Sequence, residues 1–170
     1  GTFWMRQSVV NIDEKNNQIY YTAMKESSVE RHLYRSSLDG KTMEKLSGPA
    51  GVHKIYFNEG GSYYLDVFSD RTSPPTLTLH KKDGKAAHTL IGDRPEILAE
   101  YDLQTPELFT IPTRDNFMMP AQILKPKDFN PSKKYPVIFH IYGGPSAPTV
   151  FDRWQGQSLF FDNMLLNKGY

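Results

Sequence analysis

Most of the side chains in this sequence that could do chemistry are dismissed by their spacing. Gly144-Pro145-Ser146-Ala147-Pro148 starts like the sharp G-x-S-x-G turn that exposes a nucleophilic serine, but Pro148 stands where that turn needs its last glycine. Ser146 therefore reads as a loop serine. Asp39-Gly40-Lys41-Thr42 ends like a phosphate-binding loop, yet Arg35 occupies the place of that motif's first glycine, so the run reads as a hairpin turn. The histidines, His32, His53, His80, His88 and His140, never fall at the three-to-five spacing of zinc ligands, and no cysteine assists them, so no metal site is expected. His140 would share a strand face with Tyr142 and reads as a packed polar residue. Asp13-Glu14 and the acids from Asp93 to Glu107 sit beside turn residues and basic side chains, which suits solvated surface better than a carboxylate pair tuned for acid–base work. What remains is Tyr142-Gly143-Gly144-Pro145, a phenol at the end of an apolar run followed by a glycine turn. On the residues alone, Tyr142 is an ordinary strand-end aromatic with its hydroxyl at the surface.

The elements that position these residues begin with an internal repeat. Asn17-Gln18-Ile19-Tyr20-Tyr21 and His32-Leu33-Tyr34-Arg35-Ser36-Ser37-Leu38-Asp39-Gly40-Lys41 return 44 positions later as Gly61-Ser62-Tyr63-Tyr64-Leu65 and Thr76-Leu77-Thr78-Leu79-His80-Lys81-Lys82-Asp83-Gly84-Lys85. Within each unit, short aromatic and β-branched runs are separated by Asp-Gly pairs, which supply the positive φ of a tight hairpin turn. A period of roughly 40 to 50 residues with several strands per unit is the pattern of a propeller blade. Residues 1–98 are expected to form about two blades, the last of a β-propeller. A ring needs about four to eight, so the chain reads as a piece of a larger protein.

After Gly92-Asp93-Arg94-Pro95 the repeat stops. Glu107–Pro112, Met118–Leu124 and Tyr135–Tyr142 read as three strands, with Thr113-Arg114-Asp115-Asn116 as the turn between the first two. Val137–Ile141 is nearly continuous apolar sequence, as in a strand covered on both faces. Ser158–Gly169 predicts an amphipathic helix, with Leu159, Phe160, Phe161, Met164 and Leu165 at helical spacing and Gly169 as its terminator. Residues 99–170 are thus expected to start an α/β sheet that is truncated before any nucleophile turn.

Composition limits the partners. With 20 Lys+Arg against 19 Asp+Glu, interspersed, no one-sided basic field exists for a nucleic acid. No apolar run reaches the roughly 18 residues of a membrane span, and Gly1–Val10 lacks the features of a signal peptide. Without cysteine there is no disulfide framework, which leaves the compartment open.

Pro131-Ser132-Lys133-Lys134-Tyr135-Pro136-Val137-Ile138, then Ile141-Tyr142-Gly143-Gly144-Pro145, Thr149-Val150-Phe151 with Trp154, and Leu166-Asn167-Lys168-Gly169-Tyr170 resemble, in this order, the dipeptidyl peptidase IV branch of the prolyl oligopeptidase (S9) family. The resemblance implies a mainly β fold, a β-propeller followed by an α/β-hydrolase domain. It also implies a serine exopeptidase that removes N-terminal X-Pro dipeptides without a cofactor. The implied partners are peptides with Pro second and a second copy of the parent, in a periplasmic or extracellular setting. Neither the Ser, Asp, His triad nor the acidic pair that grips the substrate amine falls in these 170 residues, so no substrate-binding residue is assigned, and the piece alone is expected to be inactive. The one position that carries over is Tyr142, whose hydroxyl the family uses in its oxyanion hole, with Gly143 and Gly144 leaving room for the acyl group. The alternatives within the family are a tripeptidyl or acylaminoacyl peptidase or an oligopeptidase; outside enzymes, a non-catalytic propeller that serves as an interaction surface.

Overall fold

Tyrosine-rich and β-branched runs separated by short polar turns pair with their sequence neighbours, and the result is two four-stranded antiparallel meanders. The computed structural model describes residues 5–142 and 148–170, with the side chains of residues 5–7 left aside. The first sheet contains β1 (Met5–Asp13), β2 (Gln18–Met24), β3 (His32–Ser37) and β4 (Met43–Lys45). The second contains β5 (Val52–Phe57), β6 (Tyr63–Ser69), β7 (Thr76–Lys81) and β8 (Ala86–Ile91). Both are ordered as in sequence.

The sequence repeat is a structural repeat, with β3 and β7 occupying positions 44 apart and leading into the same turn. Gly40 N–H donates to Ser37 O at 2.9 Å and Gly84 N–H to Lys81 O at 2.9 Å. The positive φ falls on the glycines alone, +73° and +91°, and not on the Asp-Gly pair as expected. The aspartates contribute otherwise: Asp39 Oδ1 accepts from Lys41 N–H at 3.2 Å and Asp83 Oδ1 from Lys85 N–H at 3.0 Å. These bonds favour the ionised form, holding Asp39 (through Ser37 Oγ first) and Asp83 (through the Lys85 N–H first) below the usual carboxylate range.

The sheets pack on each other through Tyr20 and Leu33 from the first and Ile55 and Tyr64 from the second, flanked by Val10, Leu46 and Phe57. Fully burying a side chain such as Leu33 contributes on the order of 1.5–3 kcal/mol. Backbone also joins them, because Arg31 N–H donates to Gly51 O and His53 N–H to Arg31 O, both at 3.0 Å, in a parallel bridge. Gly51 has φ +135°, and a Cβ there would lie 2.7 Å from Ser69 O. The bridge can close only with glycine at that point. On the opposite face of the first sheet Tyr21, Ala23 and Tyr34 form a second cluster, the two rings stacked at 5.9 Å.

Beyond Ile91 come α1 (Glu96–Glu100), a hairpin of β9 (Glu107–Pro112) and β10 (Met118–Ile123), and α2 (Gln157–Leu166). The hairpin turns at Thr113–Asn116 as expected, with Asn116 at φ +62°. Two expectations fail. Tyr135–Tyr142 forms no strand, and Phe139 and Ile141 are 78% and 84% exposed. A two-faced buried strand needs a strand along its edge and covering layers on both faces, and none of the described residues supplies either. Helix α2 forms and ends in Gly169 at φ +92°, with Gly169 N–H on Leu166 O and Tyr170 N–H on Leu165 O, but its covered residues are Leu159 and Asn163. Phe160, Phe161 and Met164 point outward. The helix is apolar on several sides rather than amphipathic, and Asn163 turns inward because its amide bonds Gln104 N–H at 2.7 Å and Gln104 O at 3.1 Å.

Candidate functional site

Tyr142 ends the first described stretch, 53% exposed and without regular backbone pairing, so its hydroxyl is not locked inside a core. Gly143, Gly144, Pro145 and Ser146 lie outside the described residues. Phe151–Trp154 lies across one end of both sheets. Asp152 N–H donates to Val29 O at 2.8 Å, in the connection between β2 and β3. Its carboxylate receives Arg71 twice, Oδ1 from the backbone N–H and Oδ2 from the guanidinium, each at 3.0 Å, in the equivalent connection between β6 and β7. Trp154 N–H reaches Ser69 Oγ at 3.4 Å, and the guanidiniums of Arg31 and Arg153 lie 5.7 and 5.4 Å from the Phe151 ring centre. Sequence reading singled out Phe151 and Trp154 but passed over Asp152 and Arg71, whose partnership spans 81 positions and leaves no local pattern.

The histidines divide by location. His140 is exposed beside Tyr142. His32 and His53 are buried at the junction of the sheets with ring centres 5.3 Å apart. His32 Nε2 meets Glu30 at 2.8 Å and Nδ1 meets Ser47 Oγ at 2.9 Å; His53 Nδ1 meets Asp66 at 2.7 Å and Nε2 donates to Pro49 O at 3.0 Å. Burial pushes His32 below its ordinary pKa, against the pull of Glu30. At 0% and 1% exposure these rings are closed to any substrate, and they act as internal struts. His80 stacks on Tyr64 at 5.0 Å and contacts Gly84 O at 2.9 Å, tying the second hairpin turn to the core.

The sequence family described as "Dipeptidyl peptidase IV (DPP IV) N-terminal region" matches residues 2–75. A protein of Arthroderma otae named "Probable dipeptidyl-aminopeptidase B" is 34% identical over 145 residues, 82% of this chain and 16% of that protein. The chain belongs to the dipeptidyl peptidase IV branch of the S9 family.

Human "Dipeptidyl peptidase 8" is 28% identical over 96% of the chain and 19% of its own length. The crystal structure of Porphyromonas gingivalis dipeptidyl peptidase 4 superposes on all of the chain, with a TM-score of 0.86 and 26% identity, using 24% of that structure. The chain thus spans less than a quarter of the length of each of these dipeptidyl peptidase relatives. Within the family, the two meanders are propeller blades, and the fold is mainly β. Phe151–Trp154 therefore bridges the ends of adjacent blades.

Proposed function

We propose that this chain is the propeller-to-hydrolase junction of a serine dipeptidyl peptidase that releases N-terminal X-Pro dipeptides, and that Tyr142 is its oxyanion-hole donor. The observation that carries the reading is the superposition of the whole chain on a dipeptidyl peptidase structure, with Tyr142-Gly143-Gly144-Pro145 in its sequence. Blades occupy 1–98 and the hydrolase part begins at 99. No G-x-S-x-G turn occurs in the 170 residues, so the parent supplies the nucleophile and its partners elsewhere.

In this mechanism the attacking serine turns the scissile carbonyl oxygen into an anion. The Tyr142 O–H donates to that oxygen and strengthens its bond as charge develops, so it stabilises the transition state more than the substrate. Removing one such donor costs about 10²–10³ in kcat.

The test is hydrolysis of a Gly-Pro chromogenic amide by the full-length parent and its Tyr142→Phe variant. The expected result is cleavage by the parent and a loss of about 10²–10³ in kcat, with KM little changed. Cleavage of tripeptide or acylated substrates only would move the parent to another S9 branch. A parent inactive on all three would be an interaction protein. The parent is proposed to act as a homodimer, to be checked by its mass in solution.

A further inference from the structure

The backbone bridge between the blades pairs Arg31 with Val52, and the residue after each of them is a histidine. His32 and His53 are buried there with ring centres 5.3 Å apart. A carbonyl oxygen only accepts, so the contact to Pro49 O puts a proton on His53 Nε2. The 2.7 Å contact between His53 Nδ1 and Asp66 Oδ2 holds one more proton, and the pair is neutral as a whole whichever atom carries it. His32 has a different inventory. Ser47 Oγ already accepts the Leu33 N–H at 3.1 Å, which leaves its own proton for His32 Nδ1 at 2.9 Å. His32 Nε2 then carries the ring's N–H and donates it to Glu30 Oε2 at 2.8 Å. Neutral His32 thus satisfies every group it bonds. A proton added at Nδ1 would turn the Ser47 hydroxyl away, and that buried hydroxyl has no other acceptor among the described residues. Burial opposes the new charge first; the His53 ring and Lys45 add to the repulsion, and Glu30 draws the charge in.

We propose that His32 and the His53–Asp66 pair form an acid-sensitive latch on the inter-blade bridge, with His32 as the group that takes up the proton. While His32 is neutral, the rings are closed on Glu30, Ser47, Asp66 and Pro49, beside the bonds from Arg31 N–H to Gly51 O and from His53 N–H to Arg31 O. Protonation opens the seam at this end, where water can receive the Ser47 hydroxyl and the new charge. The opening is local, because the neighbouring cluster of Tyr20, Leu33, Ile55 and Tyr64 contains no histidine or carboxyl group. The open form binds the proton more tightly than the closed one. The latch is therefore at full strength above about pH 6.5 and weakens as the pH falls.

The experiment follows hydrogen exchange in the full-length parent at about pH 7.5 and about pH 5, corrected for the intrinsic pH dependence of exchange. The reporters are the Arg31 and His53 amides, which make the bridge. Their protection is expected to fall by about fivefold or more at the lower pH, with a ceiling of about thirtyfold set by an ordinary histidine in the open form. Amides paired between β6 and β7 should stay within about twofold. In His32→Gln the fall at the bridge should disappear. With His53→Gln and Asp66→Asn made together, a neutral pair replaces a neutral pair without the second ring, closed His32 takes its proton more readily, and the fall should shrink. Undiminished protection in the native parent, or a full fall retained in His32→Gln, overturns the proposal. An equal fall at the β6–β7 amides marks global unfolding and overturns it too. Should His32→Gln fail to fold, the double variant carries the comparison, and an unchanged fall there overturns the latch.

Discussion

Tyr64 shows what a buried hydroxyl costs when nothing receives it. The ring is 1% exposed, packed by Phe57 and His80, yet its O–H has no hydrogen-bond partner among the described residues. Burial, with Asp66 adding to it, pushes its ionisation far above the ordinary range, so the phenol stays neutral. Tyr64→Phe is expected to stabilise the fold by about 1 kcal/mol, read from the midpoint of urea unfolding. Gly51→Ala should do the opposite by about 2 kcal/mol or more, because its Cβ would collide with Ser69 O at a backbone angle that disfavours side chains. His32 yields a pH prediction. Burial lowers its folded value below the ordinary 6.5, so the unfolded chain binds the extra proton more readily. This contribution to stability is complete above about pH 6.5 and is lost as the pH falls toward the depressed folded value. Burial dominates that shift, with Glu30 opposing it and His53 and Lys45 adding to it. His32→Gln should flatten the stability profile between pH 7.5 and 5 relative to the native chain; an unchanged slope would show that His32 does not set it. At this scale the sequence offered Tyr142 as a candidate, through a resemblance carried by adjacent residues. It could not show the His32–His53 strut or the Asp152–Arg71 clamp, since neither partner hints at the other along the chain.

The 44-residue period made the blade elements legible, because each meander pairs strands with their immediate neighbours and repeats the same turn. The β9–β10 hairpin was legible for the same reason. Legibility stopped where an element depends on distant cover. Val137–Tyr142 carries the apolar pattern of a buried strand, yet pattern alone supplies no edge to pair with. Helix α2 was found by its spacing, but its orientation was not, since apolar residues lie on several sides and the face turned inward carries Leu159 together with the polar Asn163, which bonds Gln104. Asn163→Ala is therefore expected to free the Gln104 amide to exchange with solvent and to destabilise the contact by about 1–3 kcal/mol. Unchanged protection of Gln104 would show that α2 is oriented by its apolar residues instead.

Taken as a whole, the molecule is closed around its inter-blade core and open after it. Val137, Phe139 and Ile141 on one stretch of chain, and Phe117 and Met118 on the β9–β10 hairpin, all stand more than half exposed, which water does not favour. The 170-residue polypeptide alone is expected to self-associate, and Phe139→Lys with Ile141→Lys should reduce that association without loosening the blades; light scattering and the urea midpoint separate the two effects. Equal scattering by both forms would place the association elsewhere, along the open strand edges. The strap across the blade ends has a final consequence, one of time. Hairpins such as β2–β3 close in roughly 1–10 μs once their residues are free. Arg71 accepts its partner only when Asp152, 81 positions later, has been made. At roughly 5–20 residues per second, a ribosome delivers it about 4–16 s after Arg71. For the part of that interval that follows β8, the blades exist without their clasp, and Arg71 stands at the end of a finished sheet without Asp152.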